Sequence, residues 1–446
     1  MSAVAPTERG RAGSPVVKLA YLCGQYPAVS HTFVLREVEA LRRLGIEIDT
    51  FSIRRASAEH LLAGADHEAH QSTFAILPPS WGKLLLTHLK LAGTSPRAYL
   101  KTLKLALSLA PPGWRGRLWQ LFYFVEAGVL WSECRRRAVH HIHVHLANVA
   151  ADVALLACAL GSAVEGAGSW SWSFTMHGPT ELFDVSRFRL AEKLRFARFV
   201  VCISDYTRSQ LMALCDPTMW GKLHVVHCGI PLAQFTRAQD EEPSGDPTIV
   251  CLGRLVPEKG QGVLLQSVAM LAERGLTVNV TLAGEGPARA MLELLALELG
   301  LASRTSFPGA IGQDDIHALY ASASIFCLPS FAEGVPGVLM EAMAMELPVV
   351  STRITGVPEL VQDGHTGLLV APGRVDELAD ALERLLTDPS LRRELGARGR
   401  ELVIEQFNTD RSAEQLAELF TRVLHTGAGE LESGRAAPNG VLEAAL

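Results

Sequence analysis

The chain has 446 residues, and a single hydrophobic core rarely serves more than about 250–300 residues, so two or three domains are expected. Hydrophobic residues make up 48% and charged residues 20%, which is ordinary for a folded globular protein. The formal net charge of −6 excludes, by charge, a general nucleic-acid-binding protein.

The cysteines and the N-terminus indicate a cytoplasmic protein. None of the eight cysteines forms a C-x-x-C pair, and most lie in apolar runs, as reduced, buried thiols do. Residues 1–15 lack the apolar core of a signal peptide and are predicted to be disordered. No segment approaches the roughly 20 uncharged apolar residues of a spanning helix, which leaves peripheral binding at the inner face of the plasma membrane as an option.

Strand and helix patterns alternate from residue 16 onward. Val16–Cys23 is a short apolar run of the kind that forms a buried strand, and it is followed by Gly24. Apolar residues repeat at helical spacing over Phe33–Leu44, and Glu47–Ile53 has the pattern of the next strand. This βαβ pattern predicts a parallel sheet with right-handed crossovers.

The segment from Ala69 to Val125 interrupts the alternation. It contains seven Lys or Arg and no Asp or Glu, and leucines and aromatic residues are interleaved with the bases. We interpret residues 81–135 as a helical insertion in the N-terminal domain. Its part 81–131 is a basic amphipathic segment, which favours contact with an anionic membrane surface. Alternatively, its leucine face packs on its own domain.

A second βαβ series follows the polar stretch 239–247, which is the best candidate for a linker. We assign 16–240 to one Rossmann-like domain and 247–405 to another, so the predicted fold class is α/β, with two doubly wound domains that face a central cleft. Ligands of such folds bind at the carboxyl ends of the strands. Residues 406–425 are predicted to form a crossover helix and 426–446 a flexible tail.

The run from Gly253 to Gly260, GRLVPEKG, links a predicted strand to a helix. Gly253 permits close backbone approach, Arg254 offers a planar fork of donors and Lys259 a compact charge. Both cations lie near a helix N-terminus, where the helix dipole favours anions, so a diphosphate fits here. The alternative is a surface pair that caps a loop.

A second loop, Glu333 to Glu341, leads from a predicted strand into a helix that starts near Pro336. Glu341 lies in an otherwise apolar helix, where a carboxylate is costly to bury without partners, and ribose hydroxyls are suitable partners. Glu333 lies before the helix and could accept hydrogen bonds from sugar hydroxyls. The alternative is two solvated glutamates.

Four motifs, GRLVPEKG, AGEGP, LPSFAEGVPGVLMEAMAMELPVVST and GVPELVQDGHTGLLV, occur in this order over about residues 247–390. As an ordered set they closely resemble the donor-binding domain of the retaining glycosyltransferases of family 4, which adopt the GT-B fold. The N-terminal runs CGQYPAVSHTFVLREVEALRRLG, HIHVHLAN and FTMHGPTELF resemble the subgroup that makes bacterial exopolysaccharide, such as the colanic-acid-type transferases.

The resemblance implies a role for each matching residue. Arg254 and Lys259 match the pair that holds the donor diphosphate. Glu341 matches the carboxylate that binds the nucleotide ribose. Glu333 matches the residue that faces the donor sugar, and His177 matches a histidine of the acceptor domain that lies beside that sugar. These four, Arg254, Lys259, Glu333 and His177, are the candidate catalytic residues. The implied nucleotide-binding positions are Gly24, Gly253, Arg254, Lys259, Gly334, Val335, Pro336, Gly337 and Glu341.

The chain departs from the family pattern in two loops. Gly334-Val335-Pro336-Gly337 stands where many relatives have Gly-Phe-Gly, as is usual in the exopolysaccharide subgroup. Cys23-Gly24-Gln25 replaces a double glycine, so Gly24 alone remains of the glycine pair that approaches the phosphates in the family.

Two features of the sequence together predict metal-independent chemistry. The sequence contains no D-x-D triplet of the kind that holds a metal in other transferases, and Arg254 and Lys259 can stabilise the leaving diphosphate. The cluster His140, His141, His143 and His145 is interpreted as strand packing or cleft lining rather than a metal site. No residue is assigned as a general base.

The sequence therefore predicts retaining transfer of a hexose from a UDP- or GDP-sugar to a glycan or lipid-linked oligosaccharide acceptor in bacterial exopolysaccharide or cell-surface glycan synthesis. It predicts no cofactor and no nucleic acid partner, and the segment 81–131 favours an anionic membrane surface as a further partner. The alternatives are a GT-B-fold sugar-nucleotide epimerase or phosphorylase, and a non-catalytic scaffold of a polysaccharide assembly complex.

Overall fold

The computed structural model describes residues 17–28, 32–61, 63–178, 180–236, 245–313 and 315–429, with backbone only for 425–429. The predicted disordered N-terminus 1–15, most of the predicted linker 239–247 and the tail residues 430–446 lie outside the described residues.

The N-terminal sheet is seven-stranded and parallel, with the strand order β3-β2-β1-β4-β5-β6-β7. Its strands are β1 (Lys18–Tyr26), β2 (Glu47–Arg55), β3 (Phe74–Leu77), β4 (His141–His145), β5 (Ser171–Met176), β6 (Val200–Cys202) and β7 (Leu223–Val225). All five residues of β4 are buried, because helices cover both faces of a parallel sheet.

The helices of this half are α1 (Thr32–Arg43), α2 (Gly64–Ser72), α3 (Trp81–Thr94), α4 (Pro96–Ser108), α5 (Trp114–Arg136), α6 (Val149–Glu165), α7 (Thr180–Phe183), α8 (Val185–Phe188), α9 (Leu190–Phe196) and α10 (Asp205–Met212). The helix α6, with the sequence VAADVALLACALGSAVE, is buried along most of its length. Small residues on such a helix let its neighbours approach from several sides, and α4 and α5 both pack on it.

The C-terminal sheet is six-stranded and parallel, with the order β10-β9-β8-β11-β12-β13. Its strands are β8 (Thr248–Leu252), β9 (Asn279–Ala283), β10 (Thr305–Gly309), β11 (Ile325–Leu328), β12 (Val349–Thr352) and β13 (Leu368–Val370). The helices are α11 (Gln261–Glu273), α12 (Arg289–Glu298), α13 (Ile316–Ala321), α14 (Gly337–Ala344), α15 (Val357–Leu360), α16 (Val375–Thr387), α17 (Pro389–Gln406) and α18 (Thr409–Gly429). Two doubly wound parallel sheets confirm the predicted fold class.

The last helix, α18, leaves the C-terminal domain and packs on the N-terminal one. Its residues Ala413, Leu416, Leu419 and Phe420 are buried in the same cluster as Tyr21 of β1 and residues of α1. The helix continues to Gly429, beyond the predicted end at residue 425. The preceding helix, α17, packs on α14 of the C-terminal domain, and α18 packs on α1 of the N-terminal domain. Together, α17 and α18 therefore tie the two halves of the molecule to each other.

The basic insertion forms α3, α4 and α5. One side of it is buried, through residues such as His88, Leu91, Leu105 and Phe124. The other side exposes large apolar side chains, which are Trp81, Leu85, Leu86, Leu89, Leu100, Leu107, Trp114, Leu118, Trp119, Leu121 and Phe122. None of the helices in the described ranges is long and apolar enough to cross a bilayer.

Candidate functional site

The predicted cationic corner lies at the carboxyl end of β8, a central strand of the C-terminal sheet. Gly253 and Arg254 follow β8 directly, and Lys259 ends the short 3₁₀ turn Pro257–Lys259. The side chain of Lys259 passes close to Gly253, since a Cβ built on that glycine would lie 3.8 Å from the Lys259 Cδ. The Arg254 side chain is exposed, and among the described residues no carboxylate pairs with it.

Two glycines allow the loops around this corner to touch. Gly260 has a φ of +67°, and a Cβ there would fall 2.1 Å from the carbonyl oxygen of Pro329, in the loop after β11. Gly284, in the AGEGP motif after β9, has a φ of +136°, and a Cβ there would fall 2.0 Å from the Gly253 carbonyl oxygen. Either substitution would push apart loops that the sequence motifs predict to act together.

Glu333 lies after β11 and contacts Lys259 directly. The Lys259 Nζ is 2.5 Å from the Glu333 Oε1, and the Ser330 hydroxyl donates a hydrogen bond of 2.7 Å to the same oxygen. Glu333 is buried. Lys259 is therefore paired with an anionic side chain, and the Glu333 Oε1 accepts from both Lys259 and Ser330.

Glu341 is buried in α14 and has two protein partners. Arg36 of α1 donates a 2.8 Å hydrogen bond from Nη2 to the Glu341 Oε1, and the Tyr320 hydroxyl donates a 2.8 Å bond to Oε2. The Arg36 Nη2 also donates to the side chain of Gln313, and its Cζ lies 5.7 Å from the centre of the Phe235 ring. The partners that a buried carboxylate requires are thus protein groups from both domains.

The loop between Glu333 and α14 is exposed only in part. Val335 and Pro336 are buried, whereas Gly337 is exposed at the first position of α14. Since the Val335 side chain belongs to the hydrophobic core, its contribution to a bound nucleotide would come from its backbone. A Cβ on Gly334 would fall 2.1 Å from the His177 carbonyl oxygen, so this loop abuts the N-terminal domain directly.

His177 follows β5, at the carboxyl end of the N-terminal sheet. Its ring lies 4.3 Å from the Phe33 ring, centre to centre, and its Nε2 is 2.8 Å from the His145 Nδ1. The loops that carry Arg254, Lys259, Glu333 and His177 therefore all follow the carboxyl ends of strands, and the Gly334 contact joins the two domains there. Their roles in donor binding and catalysis remain predictions.

Gly24 lies elsewhere than predicted. We expected it in the loop after β1, but β1 continues to Tyr26, because Gln25 and Tyr26 still pair with Arg54 and Arg55 of β2. Gly24 is thus a strand residue. A Cβ on Gly24 would lie 4.0 Å from the Nδ2 of Asn148, the residue that caps α6, and this is an ordinary contact.

The histidines of β4 form a ladder with hydroxyls of β5. His141 is hydrogen-bonded to Ser171 and Ser173, and His143 to Ser173 and Thr175, at 2.7–2.9 Å. Burial lowers the pKa of His141 to about 3 and that of His143 well below its usual range. Ligand atoms of Glu37, His143 and His145 lie within 4.8 Å of one another, but both ring nitrogens of His143 are used by the ladder.

Sequence reasoning missed the residues that support the site from the N-terminal domain. Arg36, Glu37 and Phe33 lie on α1, and Cys228 lies 3.6 Å from the His177 Nδ1. The sequence did contain one indication of these residues. The run FVLREVEALRR places charged residues between the apolar positions of a helix that begins shortly after β1. Nothing in that pattern indicates which distant side chains they contact.

Comparison with known proteins supports the resemblance. A family model described as glycosyl transferases group 1 matches residues 233–402. A GDP-mannose-dependent alpha-(1-6)-phosphatidylinositol monomannoside mannosyltransferase of Mycolicibacterium smegmatis is 30% identical over 63% of this chain and 77% of its own length. A protein named as a colanic acid biosynthesis glycosyltransferase, WcaL of Salmonella typhimurium, is 25% identical over 91% of this chain and 100% of its own length.

Other relatives match over less of their length, and solved structures share the fold. Two relatives at 34% and 33% identity are covered over only 46% and 61% of their own lengths. The structure of Anabaena HepE in complex with UDP and glucose superposes with a TM-score of 0.69 and 18% identity, covering 91% of this chain and 100% of that one. The ordered donor motifs, the two facing doubly wound sheets and these relatives lead to one conclusion: the chain belongs to the group 1 glycosyl transferases, with the GT-B fold.

Proposed function

We propose that this protein is a retaining hexosyltransferase, which moves a sugar from a UDP- or GDP-sugar to a glycan in the synthesis of a bacterial surface polysaccharide. The observation that carries the proposal is the cationic corner of Arg254 and Lys259 at the carboxyl end of β8, beside Glu333 and opposite His177. The mycobacterial relative is named for its GDP-mannose dependence, and the Salmonella relative for colanic acid biosynthesis.

The proposed chemistry is a displacement at the anomeric carbon of the donor. The bond from that carbon to the diphosphate oxygen breaks, and a bond to the acceptor oxygen forms on the same face. A phosphate oxygen of the leaving nucleotide takes the acceptor proton, so that no carboxylate base is required. Arg254 and Lys259 stabilise the negative charge that develops on the leaving diphosphate. In other transferases a bound metal ion has this role.

Glu333 and His177 would position the donor sugar. When Lys259 binds the diphosphate, the Glu333 carboxylate becomes an acceptor for sugar hydroxyls, with the Ser330 hydroxyl holding it in place. Glu341 would accept hydrogen bonds from the ribose while it keeps Arg36 and Tyr320, since a carboxylate has about four lone-pair sites.

A lipid-linked acceptor would bring the enzyme to the inner face of the cytoplasmic membrane. The helices α3, α4 and α5 expose large apolar side chains, and the seven bases of the segment 69–125 are all exposed beside them. Apolar side chains that insert between lipid tails and cations that contact anionic headgroups are the two components of interfacial binding. We propose this surface, residues 81–131, as the membrane-binding surface.

The decisive experiment compares Arg254→Ala and Lys259→Ala with the wild-type protein in transfer from a panel of UDP- and GDP-sugars to a glycan or polyprenyl-linked oligosaccharide acceptor. Loss of one group aimed at the developing charge is expected to lower kcat by about 10²–10³-fold. Arg304→Ala is the matched control, because Arg304 is an exposed cation just before β10, at the opposite end of the same sheet.

The same assay tests the finer points. NMR of the product should show the donor's anomeric configuration, and EDTA should leave the rate unchanged. Product formed without acceptor would favour an epimerase or phosphorylase. If Arg254→Ala and Lys259→Ala transferred sugar as fast as Arg304→Ala, the catalytic assignment would be wrong.

A further inference from the structure

A chain of three side chains leads from α1 to His177; His145 and His177 are buried, and Glu37 is partly buried. The Glu37 Oε1 is 3.2 Å from the His145 Nε2, and the His145 Nδ1 is 2.8 Å from the His177 Nε2. The Tyr21 hydroxyl donates a 2.8 Å hydrogen bond to the same Glu37 oxygen. The exposed fraction is 14% for the Glu37 side chain and 1% for that of His145, so water contributes little to the chain.

The Glu37 carboxylate determines which nitrogen of His145 carries the proton. A proton on the His145 Nε2 would not be aligned for a standard hydrogen bond to the Glu37 carboxylate. The N–H group would instead be attracted to the carboxylate as a dipole is to a nearby charge. If the proton were on Nδ1 instead, the Nε2 lone pair would face a carboxylate oxygen 3.2 Å away in a buried site, which is repulsive. His145 therefore carries its proton on Nε2 and presents a lone pair at Nδ1.

The lone pair of His145 in turn determines the tautomer of His177. A hydrogen bond of 2.8 Å between two ring nitrogens needs one proton, and with His145 as the acceptor that proton belongs to the His177 Nε2. The His177 Nδ1 then has a lone pair. A neighbour of that nitrogen among the described residues, the Cys228 Sγ at 3.6 Å, fits this assignment, since burial raises the pKa of the Cys228 thiol and keeps it a donor.

His143, one step further along β4, does not disturb this arrangement. Its two nitrogens are occupied by the hydroxyls of Ser173 and Thr175, and hydroxyls can serve either tautomer. The titratable side chains of Tyr21 and Cys23 from β1, of His143 from β4 and of Cys228 lie beside Glu37, His145 and His177.

His177, the last of these three side chains, belongs to a segment that touches the loop that bears Glu333. The carbonyl oxygen of His177 is so close to Gly334 that a Cβ there would fall 2.1 Å from it, and the Phe33 ring lies 4.3 Å from the imidazole ring. His177 is thus held by the N-terminal domain where that domain meets the predicted donor site.

We propose that Glu37 and His145 are positioning residues, which fix His177 as the Nε2–H tautomer so that its Nδ1 accepts a hydrogen bond from a hydroxyl of the bound sugar. The proposal rests on the function proposed above for its catalytic consequence, but the tautomer itself is a property of the protein alone. A hydroxyl group of a sugar is a stronger donor than the Cys228 thiol and would take its place at Nδ1.

The tautomer is measured by ¹⁵N–¹H NMR of the full-length protein with ¹⁵N-labelled histidine, and the His177 signals are assigned by their loss in His177→Gln. We expect a protonated Nε2 and an unprotonated Nδ1 in the wild-type protein near neutral pH. The opposite tautomer would overturn the proposal, whether or not any variant folds. In Cys228→Ala the tautomer should be unchanged, because it is imposed from the His145 side, and a switch in this variant would also overturn it.

Glu37→Gln removes the charge and preserves the size of the side chain. We expect His177 to become a mixture of tautomers and kcat/KM to fall by roughly tenfold, the effect of losing one hydrogen bond. The matched control is Glu39→Gln, an exposed residue on the same helix, which should leave both measurements unchanged. A Glu37→Gln spectrum identical to that of Glu39→Gln would overturn the proposal. A wild-type protein with the expected tautomer that transfers no sugar would instead refute the proposed function alone.

Discussion

Arg36, which is partly buried, and Glu341, which is buried, form an ion pair between α1 and α14, one helix in each domain. Nη2 and Oε1 are 2.8 Å apart, and the exposed fractions of the two side chains are 10% and 5%. Removal of one partner of such a pair leaves the other charge uncompensated in a site with little water. At the same time the pair joins the N-terminal domain to the helix predicted to hold the nucleotide ribose.

We therefore predict that Arg36→Met lowers the free energy of unfolding by about 3–5 kcal/mol. The double variant Arg36→Met/Glu341→Gln should recover much of this loss, since Gln leaves no buried charge and can still accept from Tyr320. Calorimetry on the two single variants and the double variant gives the coupling between the two residues. A coupling within error of zero would show that the pair contributes nothing.

The sequence predicts part of this arrangement. A glutamate in the apolar run GVLMEAMA requires partners if it is buried, and that much follows from the pattern. The identity of the partner does not follow, because Arg36 lies 305 residues away and Tyr320 lies on α13. Patterns along a chain indicate which face is buried, but they carry no information on which face of another domain covers it.

The helix α18 shows how one element holds the two domains together. Phe420 is fully buried, and its ring lies 5.1 Å from that of His143, 5.8 Å from that of Phe199 and 6.3 Å from that of Tyr21. A segment at the end of the chain thus completes the core of the N-terminal domain. Stability of that domain then depends on residues beyond the C-terminal sheet.

Phe420→Ala is predicted to destabilise the protein by about 3–5 kcal/mol, because it leaves a cavity among aromatic rings. Gln415→Ala, at an exposed position of the same helix, is the matched control and should change the melting temperature little. Calorimetry would also show which domain melts first, and the N-terminal domain is expected to do so in Phe420→Ala. Equal melting curves for the two variants would contradict the role of α18.

Elements with long periodic patterns are predicted well from the sequence, and short ones are not. Apolar residues recur at helical spacing over 375–388 and 390–406, and these ranges correspond closely to α16 and α17; the short apolar run Ile325–Leu328, typical of a buried strand, is β11. The strands β6 and β7 have three residues each, too few to establish a period. The prediction that β1 ends at Cys23 is wrong, because the last residues of the strand are held by pairing with β2, which the local sequence does not reveal.

At the scale of the whole molecule, charge and apolar surface are concentrated on one side of the N-terminal domain. The formal charge of 69–125 is +7, within a chain of net charge −6, so the remainder sums to −6 − 7 = −13. Trp81 and Trp114, with exposed fractions of 76% and 71%, lie within this segment. A molecule with this distribution should approach an anionic surface with 81–131 first and turn its acidic remainder away.

The corresponding experiment is flotation of the full-length protein with liposomes of neutral lipid alone or with added anionic phospholipid. We expect binding to the anionic liposomes, weakened by salt, since the exposed cations lose their attraction when it is screened. The triple variant Lys83→Gln/Lys90→Gln/Lys101→Gln removes three charges at about 1 kcal/mol each, so its partition should fall on the order of 100-fold. The triple variant Arg304→Gln/Arg353→Gln/Arg393→Gln removes three exposed charges from the C-terminal domain instead and should float like the wild-type protein. Equal flotation of both triple variants would show that the attraction is not localised on 81–131, and equal flotation on neutral and anionic liposomes would show that its bases play no part.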